Sequence, residues 1–439
     1  MNSIKWKPSM FNNYYHLDDS YYIIYNMLTL GAIRVTKDLF KQITNYNNRL
    51  ENEYMDYLKK QKFIVPLDLD EKEYLMKVFH EKNRITNNLD VVICTTTACN
   101  MRCIYCYEEG IKKVNLTPEV IKQITVWLEK YIIKYKIESL GILLFGGEPL
   151  IAKNVTVDLM DEINKMARSH CIYCYYNIGT NGTLLNRRNI QELKKLGLIA
   201  AQVTIDGPPE VHNKRRPWIS GEDSFSVIIE NIKKVSDLID ITIKLNIDRK
   251  NLSHINEILT ILEDNNLKEK IDLKIEAIAT TPASRNKGEH YCSINAFEPQ
   301  KSEIALAYLQ VMDLAELRGF KVHRSTAHTT PCMFVSEFGF ALDAEGFIYK
   351  CISAIGIEEF KIGHVTSEEY LSLQQESMGF IELSRKCLEE GCPFVPKCGS
   401  GCPYNSFCYD HELLKMNCKK EFLETFYTNY FVSLYNKKY

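Results

Sequence analysis

The sequence predicts an α/β protein built around an open, partial (β/α)6 TIM-like barrel. Six apolar, strand-like segments alternate with longer segments of helical periodicity, and repeated βα units form a parallel sheet covered by helices. Distinctive motifs follow four of these segments, at the strand ends where barrel folds gather catalytic residues. The predicted strands are VVICTTT (91–97), LGILLFGG (140–147), CYYNIGT (174–180), AAQVTID (200–206), ITIKLNID (241–248) and IDLKIEAI (271–278).

A smaller unit is predicted before the barrel, in residues 1–85. NNYYHL and YYIIYN are rich in Tyr and Ile and predict two short strands. TKDLFKQITNY has helical spacing with Thr36 as its cap, and NEYMDYLKKQKFIVPL predicts a helix and then a strand that Pro66 ends. A further helix is expected through DEKEYLMKVFHEK. This order of elements is typical of a winged-helix-like module.

Composition excludes several classes of protein. The 439 residues are 45% hydrophobic and 25% charged, with a net charge of −2, which is ordinary for a globular protein. No basic block indicates nucleic-acid binding. No apolar run reaches the roughly 18 residues of a membrane helix, and the opening MNSIKWKPSM lacks the apolar core of a signal peptide. We therefore expect a cytoplasmic protein that contacts neither nucleic acid nor membrane.

Cysteines are unusually frequent and clustered. Of the fifteen, four lie within residues 94–106 and eight within 332–418. Clustered thiols in a reducing compartment indicate metal binding rather than disulfides. The last 120 residues lose the βα rhythm and predict a cysteine-rich, loop-rich domain held together by metal.

The first cluster has three closely spaced thiols, Cys99, Cys103 and Cys106, in CNMRCIYC. A cubane [4Fe–4S] cluster normally takes four cysteines, so three would leave one iron open to a ligand that is not protein. An open coordination position distinguishes a reactive metal centre from a structural one. The spacing alone also fits part of a zinc site, and GGEP alone also fits a turn after a strand.

CNMRCIYC and GGEPL together resemble the radical S-adenosylmethionine (radical SAM) superfamily. The resemblance implies that SAM chelates the open iron and is cleaved to a 5′-deoxyadenosyl radical, which abstracts a substrate hydrogen. The cluster ligands Cys99, Cys103 and Cys106 are then the catalytic residues. Other motif positions, in TNGT and DGPPEVHNKRRP, resemble positions near SAM or substrate, although each also fits a loop turn or a salt bridge. The implied cofactor-binding residues are Tyr105, Gly146, Gly147, Glu148, Pro149, Asn181, Asp206 and Arg216.

The C-terminal cysteines resemble the SPASM extension of radical SAM enzymes, which holds two auxiliary [4Fe–4S] clusters. The resemblance therefore implies three clusters in all. One spacing departs from the family, with x4 rather than x2 between Cys387 and Cys392, and Cys408 matches no family position. A zinc-ribbon-like fold is the alternative. The implied ligands are Cys332, Cys351 and Cys402 for the first auxiliary cluster and Cys387, Cys392, Cys398 and Cys418 for the second.

The substrate class also follows from resemblance. SPASM enzymes commonly modify peptides, and residues 1–85 resemble the leader-recognition element of ribosomal-peptide maturases. The implied domains are 1–85 for leader recognition, 86–318 for the radical SAM core and 319–439 for the SPASM domain. The implied partners are a precursor peptide and an electron donor such as flavodoxin or ferredoxin.

The residue after the cysteine of Gly-x4-Cys bears on the reaction. Sulfatase maturases place an acid there, and this chain has Ile352, which favours a maturase that forms thioether cross-links from cysteine. Carbon–carbon cross-linking, epimerisation and sulfatase-type maturation remain alternatives, as does a noncatalytic peptide-binding iron–sulfur protein. A DNA-binding winged helix would need a basic recognition helix, which NEYMDYLKKQK is not.

Overall fold

The computed structural model describes most of the chain. The described residues are 5–45, 52–84, 87–106, 108, 110–278, 297–298, 300–323, 332–367 and 373–436. Cys292 lies outside them.

The N-terminal module contains an antiparallel sheet of strands β2, β3 and β4, and a separate pairing of β1 with β5. Its helices follow the sheet, and the Thr36 hydroxyl accepts a hydrogen bond from the backbone of Leu39 as the predicted cap. The sequence did not predict β1 and β4. The elements are β1 (Trp6–Pro8), β2 (Asn12–His16), β3 (Tyr21–Asn26), β4 (Ala32–Thr36), α1 (Lys37–Thr44), α2 (Asn52–Lys60), β5 (Ile64–Pro66) and α3 (Glu71–Arg84).

The partial barrel follows, and its parallel strands confirm the predicted α/β fold. Strands β6 to β11 lie side by side in chain order, and each overlaps its predicted segment. Thr117 caps α4 by accepting from the backbone of Val120, with Pro118 in the first turn, as expected. The elements are β6 (Asn88–Thr96), α4 (Pro118–Tyr135), β7 (Ser139–Gly146), α5 (Lys153–Ser169), β8 (Tyr173–Thr180), α6 (Arg187–Lys195), β9 (Leu198–Ile205), α7 (Pro209–Arg215), α8 (Phe225–Val235), β10 (Asp240–Ile247), α9 (Ile255–Asp264), β11 (Ile271–Ala277) and α10 (Ser302–Leu317).

Strands from the last third of the chain extend this sheet at both edges. Strand β12 (Lys321–His323) pairs parallel with β11, and β13 (Gly339–Leu342) pairs parallel with β6. Strands β14 (Phe347–Tyr349) and β15 (Lys361–His364) continue the sheet as antiparallel neighbours. In the described part of the chain the sheet therefore has ten strands, and the cysteine-rich region is continuous with the barrel.

The two faces of the barrel sheet differ in chemistry. Strand β10 shows the alternation: Ile241, Ile243, Leu245 and Ile247 are buried in the main apolar core. The intervening residues of β10 are Thr242, Lys244 and Asn246. Because side chains alternate along a strand, these polar residues face the opposite, inner side of the sheet.

The described part of the C-terminal region has four further α-helices: α11 (Leu373–Glu389), α12 (Val395–Cys398), α13 (Pro403–Asp410) and α14 (Lys420–Asn436). Helix α11 packs against α3 of the N-terminal module through an apolar cluster. Helix α14 contacts β3, where the hydroxyls of Tyr25 and Thr428 lie 2.9 Å apart. Among the helices of the described residues, none has the length and apolar character needed to cross a membrane.

Candidate active site

The loop Cys99–Cys106 follows β6 at the barrel mouth and is fixed by backbone hydrogen bonds to the last residue of α7 and to the segment after it. The amide of Arg102 donates to the carbonyl of Pro217 at 2.9 Å, and that of Ile104 donates to the carbonyl of Arg215 at 3.0 Å. These bonds hold the loop across the carboxyl ends of the strands, where sequence analysis places the reactive centre.

The three thiols of the loop lie near one another in a partly buried setting. Burial raises the pKa of Cys103 to about 12; Arg216 lowers it, and Cys106 and Cys99 raise it further. Burial likewise raises the pKa of Cys99 and of Cys106. Three neighbouring, partly buried thiols are poorly stabilised as thiolates unless positive charge is bound among them.

No three His, Cys, Asp or Glu side chains of the described residues converge closely enough to hold a single metal ion. A four-iron cluster makes a different demand, because each of its thiolates binds a different iron. Three neighbouring thiols on one loop suit that larger group better than one zinc ion.

The two glycines of GGEP bring β7 against the chain that precedes the cysteine loop. A Cβ added to Gly146, whose φ is +129°, would lie 2.1 Å from the carbonyl oxygen of Thr96. One added to Gly147 would lie 2.3 Å from that of Ala98. The glycines therefore permit close approach of backbone to backbone, which fixes the start of the cysteine loop.

Glu148 is fully buried and is bound by donors of the chain. Thr180 donates its hydroxyl to the carboxylate at 2.9 Å, the amide of Asn181 donates at 2.7 Å and the amide of Leu150 at 3.1 Å. Burial raises the pKa of Glu148, and these donors oppose that rise. The carboxylate thus joins the end of β7 to the end of β8. Pro149 follows and its carbonyl accepts from Thr156, which anchors the loop to α5.

Asn181 links the third strand end to the cysteine loop. Its side-chain amide donates to Asn100 at 2.8 Å and lies 3.8 Å from the Cys99 sulfur. Its side-chain oxygen accepts from the backbone and hydroxyl of Thr183. The side chain is therefore held beside a cysteine of the loop.

Tyr105, Asp206 and Arg216 form one buried network with Asn246. The Tyr105 hydroxyl donates to Asp206 at 2.7 Å and accepts from Arg216 at 2.7 Å and from Asn246 at 3.0 Å. Burial raises the pKa of Asp206, and the nearby Arg216 lowers it. Sequence reasoning missed Asn246, which the polar alternation near the end of β10 could have indicated.

Two buried polar atoms of this network have no hydrogen-bond partner, the Oδ2 of Asp206 and the Nε of Arg216. Buried polar atoms without partners are uncommon and suggest a polar ligand at the site. Asp206 Oδ2 can accept a hydrogen bond and Arg216 Nε can donate one, so the pair suits a zwitterionic ligand that has an amino group and a carboxylate. The residues present therefore fit both SAM and a cluster held by three thiolates.

The C-terminal cysteines fall into two groups. Burial raises the pKa of Cys351 to about 12, and Cys402 and Cys332 also raise it. Burial likewise raises the pKa of Cys387 to about 12, with further contributions from Cys392, Cys398 and Cys418. The predicted members of each set therefore lie close together, including Cys387 despite its unusual spacing.

Cys408 lies on α13 beside the first set. It is buried, and its thiol shares a hydrogen bond with the hydroxyl of Tyr404. Tyr404 also lies within electrostatic reach of Cys351 and Cys402. The sulfur of Cys408 is thus engaged by a neighbouring side chain of its own helix.

A cavity of about 610 Å³ joins the barrel to both cysteine sets. Cys332 and Cys402 line it from the first set, and Cys398 lines it from the second. Glu276, at the end of β11, and Phe79, on α3, line other walls. A molecule in this cavity would therefore contact all three parts of the chain.

A partial barrel with three thiols in a loop at its mouth defines the class of proteins that hold a four-iron cluster through three cysteines. Residues 93–262 match the model of the Radical SAM superfamily, and this chain therefore contains a radical SAM domain. A cysteine-type anaerobic sulfatase-maturating enzyme of Clostridium novyi (strain NT) is 23% identical over 335 residues, covering 70% of this chain and 85% of that protein.

Solved structures share the fold at low sequence identity. Native anSMEcpe with bound AdoMet and Kp18Cys peptide has a TM-score of 0.62 and 18% identity, over 80% of this chain and 98% of that one. Streptococcus suis SuiB bound to precursor peptide SuiA has a TM-score of 0.54 and 14% identity, over 92% of this chain and 97% of that one. The SuiB match extends over more of this chain than the anSMEcpe match.

Proposed function

We propose that this protein is a radical SAM maturase that modifies a ribosomally made precursor peptide, forming thioether cross-links from cysteine. The observation that supports this most directly is the three-thiol loop beside two unpartnered polar atoms, Asp206 Oδ2 and Arg216 Nε. The structures of anSMEcpe and SuiB are described with bound peptides, which supports a peptide as the substrate.

Different residues of the site would hold the cluster and SAM. Cys99, Cys103 and Cys106 would ligate the cluster, and the Tyr105 network with Asn181 would hold SAM against it. Bound together, the cluster and SAM supply the one-electron chemistry that removes a hydrogen atom from an unactivated carbon. The chain itself orients SAM, excludes water through its buried walls and fixes the loop through the bonds to Arg215 and Pro217. A flavodoxin or ferredoxin would deliver the electron.

We assign the two C-terminal cysteine sets to two auxiliary [4Fe–4S] clusters, giving three in all. The electrostatic neighbourhood within each set supports this division. On this assignment residues 319–439 are the auxiliary-cluster domain and 86–318 the radical SAM core. The cavity between them is lined by Cys332, Cys402 and Cys398 and would hold at least part of these clusters.

We assign leader recognition to residues 1–85. Strand β4 is an edge of the antiparallel sheet, and sheet edges bind extended peptides by adding a strand. Tyr57 of α2 donates its hydroxyl to the carbonyl of Ala32 on β4 at 3.2 Å, and Tyr54 is exposed on the same helix. The leader groove, defined by Ala32, Tyr54 and Tyr57, would therefore offer backbone pairing beside an aromatic surface.

Sulfatase-type maturation is the second candidate, because the Clostridium novyi relative is named for that activity. The residue after Cys351 counts against it. Ile352 lies in a short helical turn and packs against an apolar cluster, so it offers no proton acceptor where sulfatase maturases have an acid. Thioether formation fits this chain better.

One experiment tests the proposed function. The anaerobically reconstituted protein is supplied with SAM, a reductant and the peptide from a short cysteine-bearing reading frame beside its gene. We expect 5′-deoxyadenosine and a peptide that has lost two hydrogen atoms and no longer reacts with thiol reagents. Replacing Cys99, Cys103 and Cys106 by Ala should remove about four irons and both products.

The matched control is Cys171→Ala, because Cys171 is an exposed cysteine outside every predicted set. It should retain iron and both products. If the triple variant still forms 5′-deoxyadenosine, the cluster assignment is wrong. If the wild-type chain forms 5′-deoxyadenosine but converts a sulfatase peptide instead, the second candidate replaces the first.

A further inference from the structure

A row of basic side chains crosses the inner face of the barrel sheet. Lys244 on β10 is the register partner of Lys274 on β11, and Lys274 is the partner of His323 on β12. Register partners on parallel strands point to the same face of the sheet. All three side chains therefore face the barrel interior.

Two members of the row are already paired with carboxylates. Lys274 bonds Glu276 at 2.8 Å, and His323 lies 3.2 Å from Asp272. Lys244 differs, since it makes no hydrogen bond or ion pair with any residue that the structure describes. Asp206 and Glu276 act on it electrostatically without bonding it.

The position of Lys244 sets it below the candidate active site. Asn246, two residues further along β10, donates to Tyr105 of the cysteine loop. Lys244 points to the same side and lies one inward-facing layer deeper, about 6–7 Å along the strand. Its side chain therefore points into the barrel interior, on the face of β10 that also carries the residue bonded to the cysteine loop.

The charged form of Lys244 is destabilised in this position, because no anion of the described residues bonds its ammonium group. Burial lowers the pKa of Lys244, and the neighbouring Arg216 and Lys274 lower it as well. A bound anion would offset the loss of hydration and the repulsion by those cations. The fold thus leaves one inward-facing cation that no carboxylate of the described residues bonds, although Glu276 and Asp206 act on it electrostatically.

We propose that Lys244 is a specificity-determining residue that binds a carboxylate of the substrate peptide and so places a neighbouring carbon beneath the cysteine loop. This inference rests on the proposed function. A carboxylate fits better than a phosphate, because Glu276 already pairs with Lys274 and leaves Lys244 as a single positive charge without a bonded partner among the described residues. The SAM carboxylate has a nearer cation in Arg216, which bonds Tyr105 of the loop itself.

The test uses full-length, cluster-loaded protein and three capped pentapeptides in titration calorimetry at low ionic strength. The first carries Asp at its centre and an amidated end, the second replaces Asp by Asn, and the third is the Asn peptide with a C-terminal carboxylate. The variants are Lys244→Gln, Lys244→Arg and the control Lys233→Gln. Lys233 is an exposed lysine of α8 that is paired with Glu230 at 2.7 Å, so its loss changes net charge equally.

We expect wild-type protein to bind the Asp peptide about tenfold or more tightly than its Asn counterpart, as a charge-assisted hydrogen bond allows. Lys244→Gln should abolish that preference, while Lys244→Arg and Lys233→Gln should keep it. A preference for the C-terminal carboxylate that depends on Lys244 would assign the site to the chain end rather than to a side chain.

Three results would overturn the proposal: equal binding of the Asp and Asn peptides or binding of neither, a preference that survives Lys244→Gln, or a matching loss of SAM affinity in that variant. The last would assign Lys244 to the cofactor. Formation of 5′-deoxyadenosine by the same preparations tests the proposed function separately, since SAM cleavage without carboxylate preference removes only the role of Lys244.

Discussion

At the residue scale, Tyr105 shows that motif spacing does not reveal which distant residues a side chain contacts. The motif places it just before the third cysteine, and the resemblance implies that it binds the cofactor. Its hydroxyl contacts residues 101, 111 and 141 positions away along the chain: Asp206, Arg216 and Asn246. Asp206 and Arg216 could be proposed from their motif, but Asn246 has no motif. Contacts of that range depend on how the strands are arranged, which a local pattern does not contain.

Tyr105→Phe should weaken both the fold and SAM binding. The hydroxyl makes three hydrogen bonds, and its loss leaves buried Asp206, Arg216 and Asn246 each with one bond fewer. We expect a loss of about 1–3 kcal/mol in the free energy of unfolding, together with weaker SAM affinity. Denaturant unfolding measures the first and titration with SAM the second.

The control for this prediction is Tyr173→Phe, because Tyr173 is 65% exposed. It should change neither quantity. A Tyr105→Phe protein with normal stability and normal SAM affinity would show that the network matters to neither.

At the scale of elements, the barrel was predictable and its extensions were not. Long apolar runs in the sequence indicate strands β6 to β11, and Thr117 with Pro118 indicates the start of α4. Strands β12 to β15 have three or four residues each, too few to show a period. Their place in the sheet comes from pairing with β11 and β6, which only the tertiary fold supplies.

The sequence located the GGEP motif, but it did not show which parts of the chain its glycines approach. The resemblance implies that they bind the cofactor. In the structure their missing side chains also let β7 approach the carbonyl oxygens of Thr96 and Ala98. The same residues can serve both needs, because a backbone held this close to the cysteine loop also lies close to whatever that loop binds.

Helix α13 carries a prediction about metal content. Cys408→Ala should leave the iron content at about twelve atoms per chain, the content of three cubanes. The reason is that the Cys408 thiol is buried against the Tyr404 hydroxyl on its own helix. Iron and sulfide analysis of the anaerobically purified variant measures this.

Cys402→Ala is the matched comparison, since Cys402 immediately precedes the same helix and lies beside Cys351 and Cys332. It should lose about four irons. A similar loss in Cys408→Ala would make Cys408 a ligand of the first auxiliary cluster.

At the scale of the whole molecule, the N-terminal module and the second cysteine set share an apolar interface. Phe11, Leu75 and Met76 pack in one buried cluster with Leu388 and Cys387. Glu73 and Arg385 form an ion pair across the same boundary. Removing the whole module would therefore expose apolar surface beside proposed cluster ligands. Substitution of surface residues is therefore a better way than deletion to test leader recognition separately from SAM cleavage.

The leader groove allows that separation. Replacing Tyr54 and Tyr57 by Ala removes two exposed aromatic side chains, 42% and 41% accessible, from the helix beside β4. Because exposed side chains contribute little to folding and aromatic residues contribute strongly to binding, we expect about tenfold or more weaker leader binding. The SAM cleavage that occurs without peptide should not change, since both residues belong to α2 of the N-terminal module and not to the barrel.

The control is Tyr14→Ala with Tyr15→Ala, which removes two exposed aromatic residues from β2, the opposite edge of the same sheet. Fluorescence anisotropy with a labelled leader peptide measures affinity, and 5′-deoxyadenosine formation without peptide reports the barrel. If the β2 pair weakens leader binding and the α2 pair does not, the leader pairs with β2 and the groove is misassigned. If neither pair alters affinity while modification still requires the leader, the peptide is recognised outside this sheet, and the proposed division of the chain into recognition module and catalytic barrel fails.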